Sequence, residues 1–416
     1  MSLNKKWKQL KADHILAVLF LLFSLYVGSA TIPVFIQNTL DADKANANFN
    51  EYIDLIDSQY HDVLNTNRDT PYLQNKGSYI DLCGLMANVL NQHTANGRTK
   101  LTNGHLTLTN PKYDPMSVQE SAQNIIRFYQ KQASLGKDFL FVLAPSQVYS
   151  DALYLPDGFS STEKSNAELF VSILLENDVP VLDLRNKMNE QNISYTDAFY
   201  MTDHHWKTEY GFWAMGEIIK ELETMGYAST RETKLTSPEN YDFITYENCF
   251  LGSSGKRTGK YFAGTDDFTL IVPKYDTEIT VTIQSKNISK TGRFEDVSAT
   301  NSRIGMEMRL SDPDYFNDDP YGRIGYGNTP MTNWRNPNAP ENKKFLLIGD
   351  SMANIPFTFM TLYNSICDEL DMRHYTDDFE NYFTAYSPDL VLICVNQYGI
   401  IGNEAENVTY NFVPEA

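Results

Sequence analysis

Positive charge, cysteine and long apolar runs are all scarce in this 416-residue chain, and each shortage closes off a class of protein. Lys and Arg number 34 against 53 Asp and Glu, a net charge of −19. A surface that acidic repels phosphate backbones, so no nucleic-acid partner is expected. Four cysteines (Cys83, Cys249, Cys367 and Cys394) are too few to staple a domain of this size, and no Cys-x-x-Cys spacing offers a thiolate metal site. Cys394 sits inside the apolar run 390–395, the setting of a small core residue. No His-Glu-x-x-His pattern, internal repeat or low-complexity tract is present. A mean hydropathy of −0.39 excludes a polytopic membrane protein.

The charge that is present is unevenly placed. Lys5, Lys6, Lys8 and Lys11 against Asp13 give residues 1–14 a net +3, and residues 15–36 carry none, which leaves −22 on the remainder. The uncharged stretch is broken only by Ser24, Tyr26, Gly28, Ser29 and Thr31, and about 20 apolar residues span a bilayer as a helix. Lysines just before it place the N-terminus in the cytoplasm. The expected layout is a cytoplasmic tail (1–14), a single transmembrane anchor (15–36) in the cell membrane, and an extracellular remainder. The competing reading is a cleaved signal peptide with Gly28-Ser29-Ala30 as its small-residue site. Apolar residues continuing through Ile32, Val34, Phe35 and Ile36 favour the anchor. Either way, residues after about 40 lie outside the cytoplasm.

Residues 37–116 read as a polar stalk and N-terminal extension, with 79–108 unassigned. From 117 the pattern becomes legible. Ser117 and Glu120 form a capping-box pattern ahead of Ala122, Ile125, Ile126, Tyr129 and Ala133 at helical spacing. Strands are expected at 139–144, 180–184, 345–348 and 390–395, and helices at 167–176, 207–222 and 356–370. Residues 230–335, rich in Gly, Asn, Asp, Thr and Tyr, read as a β-rich insertion with strands at 270–272 and 279–283. Strands alternating with helices imply an α/β fold whose mostly parallel sheet is covered on both faces.

Two short segments stand apart from this core pattern. Gly349-Asp350-Ser351 lies where a buried strand hands over to a helix, the carboxyl end of a strand, where sites form in open sheets. A turn there lifts a serine hydroxyl out of the sheet, near helix-start N–H groups able to hold an oxyanion. The plain alternative is a loop with serine as a helix cap. Thr202-Asp203-His204-His205-Trp206 contains two of only seven histidines. In an irregular segment, side chains two apart point the same way, so Asp203 can orient His205; inside a helix they would lie about 200° apart. The helix is expected to start near Lys207, which leaves the motif in a loop. That suits an Asp–His pair serving as base for a distant serine. His and Asp also bind metals, but adjacent His204 and His205 are expected to project in different directions, and no further ligand motif accompanies them. No metal or cofactor is therefore expected. An Asp-His-His signature also marks certain metal-dependent phosphoesterases, whose earlier Asp motifs are absent here.

Taken in order, these motifs resemble the DHHW family, SGNH-hydrolase-like proteins related to the alginate O-acetyltransferases of bacterial polysaccharide systems. The resemblance spans residues 117–412. Residues 141–145 with Val148 and Tyr149 resemble the family's strand and Pro-x-Lys-x-x-Tyr segment, from which Ser146 and Gln147 depart. Residues 181–184 resemble the next strand, 200–206 with Gly211 the Asp-x-His motif ahead of its helix, and 252–257 the Gly-rich turn. Residues 345–351 resemble the nucleophile strand, and 371–375 a segment that brings an arginine near the site. The usual separate Gly and Asn blocks are not recognisable.

The resemblance implies Ser351 as nucleophile, His205 as general base and Asp203 as its orienting partner. An acyl group would rest on Ser351 and pass to a sugar hydroxyl, or to water in an esterase. The backbone N–H groups of Ser351 and Met352 would hold the oxyanion, with Arg373 and Asn396 as further candidates and His204 and Trp206 as substrate contacts. The resemblance also implies an envelope or exported polysaccharide as substrate and a membrane-bound O-acyltransferase as acetyl donor. A carbohydrate O-acetylesterase and a non-catalytic glycan-binding scaffold remain the alternatives. The acidic balance argues against holding an anionic polymer by charge, unless a basic patch such as Lys256 and Arg257 intervenes.

Overall fold

A computed structural model describes residues 21, 76–108, 115–147, 154–159, 161, 163–231 and 235–396. The expected anchor at 15–36 lies outside the described residues apart from Leu21, as do Val148 and Tyr149. No helix among the described residues is long and apolar enough to cross a membrane. The chain divides into units 1–79 and 80–416, and the second carries the main sheet and the candidate site.

Its frame is an α/β alternation. Helix α1 (Pro115–Ser134) leads to strand β1 (Asp138–Ala144), and α2 (Glu163–Glu176) leads to β2 (Val181–Asp183). Then come α3 (Thr208–Thr224), β3 (Tyr241–Phe250), β4 (Asp266–Pro273), β5 (Ile279–Ile283), β6 (Ile288–Gly292) and β7 (Met331–Arg335). The chain continues through β8 (Glu341–Gly349), α4 (Asn354–Tyr363), β9 (Asn364–Leu370), α5 (Phe379–Tyr386) and β10 (Leu390–Asn396). Eight strands form one sheet in the order β2-β1-β10-β8-β9-β7-β5-β6. Pairing is parallel from β2 to β9 and antiparallel from β9 to β6.

Alternate residues of the central strands enter opposite faces, each covered by helices. Leu140, Val142, Leu392 and Cys394 meet Phe212 and Met215 of α3 and Ile355 of α4 on one face. Phe139, Phe141, Val391 and Ile393 meet Ile125 and Phe128 of α1, Phe170 of α2 and Phe383 of α5 on the other. Each such side chain, fully buried, stabilises the fold by about 1.5–3 kcal/mol relative to exposure. All four cysteines are free thiols, Cys83 exposed and the other three buried.

The structure departs from the sequence reading in several places. Helix α1 starts at Pro115, so Ser117 and Glu120 lie within its opening turns. The helix expected over 356–370 ends at Tyr363, and its second half is strand β9. There Cys367 aligns with Phe345 and Leu370 with Ile348 of β8, so pairing along an apolar neighbour overrides a locally helix-compatible pattern. The insertion is no appendage, since β5, β6 and β7 make the antiparallel half of the main sheet, while β3 and β4 pair separately. The unassigned stretch 79–108 contains most of a helix (Lys76–Val89) and a three-stranded antiparallel sheet.

One contact sets the spacing of the two chemical motifs. A Cβ at Gly211 in α3 would lie 2.5 Å from the side chain of Ile355 in α4. Helix α3 follows the Asp-His-His loop, and α4 follows Ser351. Only glycine lets the two helices approach this closely.

Candidate active site

The Asp-His-His segment is a tight loop. An antiparallel bridge between Phe199 and Trp206 closes it, the Lys207 N–H donates to the Ala198 carbonyl at 2.8 Å, and helix α3 begins at Thr208. Within the loop, Asp203 Oδ1 accepts the His205 N–H at 3.0 Å and lies 2.5 Å from His205 Nδ1. With Nδ1–H donating to Asp203, Nε2 is left to accept a proton. It faces Ser351 Oγ at 2.8 Å. Ser351 occupies the turn between β8 and α4, at the carboxyl edge of the parallel strands, where open sheets bind ligands.

Residues from the insertion hold this arrangement. The Ser253 N–H donates to Asp203 Oδ2 at 2.5 Å, and a Cβ on Gly252 would overlap that carboxyl group, so only glycine admits the approach. Asp266, at the start of β4, accepts from the Met201 N–H (2.7 Å), the Thr202 N–H (2.8 Å) and the Thr202 hydroxyl (2.6 Å). The same hydroxyl accepts the Gly252 N–H at 2.8 Å, joining the two loops. Tyr321, buried, stacks on His205 with ring centroids 4.1 Å apart and donates its hydroxyl to the Ser351 carbonyl at 3.1 Å.

The electrostatics follow from these contacts. Burial pushes the Asp203 carboxyl up, but His205, His204 and the bond from Ser253 outweigh it and hold the group well below the usual carboxylate range. Asp203 is therefore ionised and able to stabilise an imidazolium. Burial, and then the charge of His205, push His204 well below its usual value, with Arg98 and Arg373 adding to the effect. Burial also raises Asp350, against the pull of Arg373 and two backbone N–H groups. Burial, followed by Asp203 and Asp350, raises Tyr321 well above its usual value, so its hydroxyl stays a donor.

Ser351, His205, His204 and Tyr321 line a cavity of about 370 Å³, whose wall also carries Arg98, Arg257, Arg373, Asn328, Asn354 and Asn396. Arg373 is held by Asp371 through Nε at 2.8 Å and Nη2 at 2.6 Å. Asn396 gives its backbone N–H to Asp350 Oδ2 at 3.0 Å. Two expected contacts are placed elsewhere. The Met352 N–H, expected at the oxyanion, donates to Asp350 Oδ1 at 2.8 Å, and the Met352 side chain is buried. Trp206 packs in the core, 1% exposed, because the bridge to Phe199 turns it inward.

His204 and His205 do not project apart as expected. Their rings lie 3.8 Å apart, and His204 Nδ1 is 3.3 Å from Asp203 Oδ1 and 3.1 Å from Ser253 Oγ. The three residues thus bring one possible ligand atom each within 4.8 Å, yet both nitrogens of His205 already face Asp203 and Ser351. Sequence reasoning marked 252–257 as a Gly-rich turn without a role for Ser253, and missed Asp266 and Tyr321. A lone aspartate or tyrosine in an Asp- and Tyr-rich insertion carries no local signal.

Residues 104–239 match the family model of the SGNH hydrolase-like domain, acetyltransferase AlgX. That span includes Asp203 and His205. The resemblance read from the sequence therefore holds, and the chain carries an SGNH-like α/β fold. PatB1 from Bacillus cereus has a similar structure, with a TM-score of 0.59 and 19% identity over 72% of this chain and 96% of that one. PatB1 with a sulfonyl adduct gives 0.57 and 17% over 76% and 97%. A DHHW family protein from Eubacterium siraeum gives 0.54 and 16% over 77% and 97%. At these identities the likeness is one of fold. No curated protein matches the chain by sequence.

Proposed function

We propose that the protein is an extracytoplasmic O-acetyltransferase acting on a cell-envelope or exported polysaccharide, with Ser351 as the acyl carrier. The hydrogen-bonded chain Asp203–His205–Ser351, opening on a polar cavity, carries this reading. In the first half-reaction Ser351 Oγ attacks the acyl carbonyl and passes its proton to His205 Nε2, which returns it to the leaving group of the donor. In the second, an acceptor hydroxyl gives its proton to His205 and attacks the acyl-serine, and the proton returns to Ser351. Asp203 balances the imidazolium in both steps. The lining, rich in guanidinium and amide groups, suits a polyhydroxylated sugar. Arg98, Arg257 and Arg373 share the wall with Asp319 and Asp350, and Asp371 pairs Arg373, so the lining favours a neutral sugar over an anionic one.

Residues 15–36 would anchor the chain with its N-terminus in the cytoplasm, and a membrane-bound O-acyltransferase would supply the acetyl group. The domain limits proposed with that layout are 1–14, 15–36, 37–116 and 117–412. The first test is labelling by a sulfonyl or acyl probe, which should mark Ser351 and be lost in Ser351→Ala. Equal labelling of the variant rules out the nucleophile and favours a glycan-binding scaffold. Mass-tagged acetyl then separates transferase from esterase: tag in the polymer supports transfer, and tag only in free acetate supports the esterase.

A further inference from the structure

We infer that Tyr321 is a positioning residue that holds the base and the nucleophile of this site in register. The inference rests on the reading of Ser351 as nucleophile. Tyr321 lies on the short helix Pro320–Arg323 within the insertion, where Asp319 caps the helix by accepting the Gly322 N–H. It makes two contacts on two different parts of the machinery. Its ring lies on one face of His205, with centroids 4.1 Å apart and planes inclined by 20°. The other ring against His205 is that of His204, at 3.8 Å. Its hydroxyl bonds the carbonyl of Ser351 at 3.1 Å. One rigid side chain therefore fixes both the plane of the imidazole and the backbone of the serine turn.

The chemistry needs such a brace. His205 reaches Asp203 with Nδ1 and Ser351 with Nε2, so rotation about its ring axis would break both bonds together. A ring packed on its face restricts that rotation. The Ser351 turn belongs to β8 and α4, while the His205 loop precedes α3, and Tyr321 gives the two loops a direct common support. When His205 takes the proton, the π face beside it also meets a cation, an attractive arrangement. Tyr321 is itself braced by Tyr200, edge-on at 6.3 Å.

The test uses the limiting rate of Ser351 sulfonylation and the probe concentration at half-saturation, measured on the full chain. Tyr321→Phe keeps the ring and should slow the limiting rate about 3- to 10-fold, the effect of one neutral hydrogen bond. Tyr321→Leu removes both contacts and should slow it about 100-fold, as small misplacements of reacting groups do. Tyr321 also lines the cavity, so half-saturation reports the change in its wall and the limiting rate is the deciding readout. Combined with His205→Ala, Tyr321→Leu should cost no more than the about 3- to 10-fold of the Ser351 bond, since the ring has lost its partner and only the hydroxyl contact is left to remove. Equal losses in the presence and absence of His205 would show a merely structural role and overturn the inference, as would wild-type rates in both Tyr321 variants. If Tyr321→Leu does not fold, Tyr321→Phe decides: a limiting rate about 3- to 10-fold slower supports the inference, and a wild-type rate overturns it. Absence of labelling in the wild-type protein sinks the proposed function as well, whereas labelled wild type with unaffected variants sinks this inference alone.

Discussion

His205 Nε2 and Ser351 Oγ lie 2.8 Å apart although 146 residues separate them in the chain. The loop before α3 supplies one and the turn before α4 the other, and the close packing of Gly211 on Ile355 sets their spacing. That relationship leads to three expectations, and a buried carboxylate in the sheet leads to a fourth.

Asp203→Asn preserves the shape of the side chain but removes its charge and reverses the preferred tautomer of His205. Steady-state acyl transfer should fall by about 10⁴-fold, as in other Ser-His-Asp systems, with the protein still folded by circular dichroism. A loss below tenfold would show that Asp203 does not serve the imidazole.

Gly211→Ala would push a methyl group into Ile355. Overpacking of this kind costs about 1–3 kcal/mol, so the unfolding midpoint should drop and activity with it. Gly211→Val, which sets two further carbons against Cβ and Cγ2 of Ile355, should lower both more than Gly211→Ala does. Equal midpoints for the wild type and the two variants would rule out the helix contact as the cause.

The carboxyl of Asp203 is held well below its usual range, because its partners outweigh the upward push of burial. Its contribution to stability is complete above the pH where an unfolded aspartate ionises, about 4, and is lost as pH falls toward the folded value. In melting curves taken against pH, Asp203→Asn should flatten the acid side below about pH 4. An unchanged acid side would mean that Asp203 is not stabilised by these contacts.

Glu369 in β9 behaves in the opposite sense. Burial raises its carboxyl to about 8, against the bond from Trp334 Nε1 at 3.0 Å. The folded protein binds this proton more tightly than the unfolded chain, so its contribution is fullest below the unfolded value near 4.5 and is lost as pH rises toward 8. Glu369→Gln should raise the melting temperature at pH 8.5 more than at pH 4.5. The reverse order would contradict the assignment.

Much of the frame was legible locally. The apolar runs 139–144, 345–348 and 390–395 are strands, and the helix after the Asp-His-His loop starts at Thr208, one residue from its expected place. Strand and helix periods are short-range properties, and so is the two-residue spacing that lets Asp203 reach His205. The conversion of 364–370 into β9 was not legible, because its apolar residues fit either period and only the edge of β8 selects the strand. Nor was the place of the insertion, whose β5, β6 and β7 find partners across the sheet.

The sequence by itself determined which residues could do chemistry: an aspartate and a histidine two apart in a loop, and a serine at the end of a buried strand. It did not determine what surrounds them. The commitment of the Met352 N–H to Asp350, the inward turn of Trp206, the support of Asp203 by Ser253 and the bracing of His205 by Tyr321 were decided only in the tertiary structure. Hydrogen bonds and ring contacts between such distant segments leave no period in the chain, so packing alone specifies them.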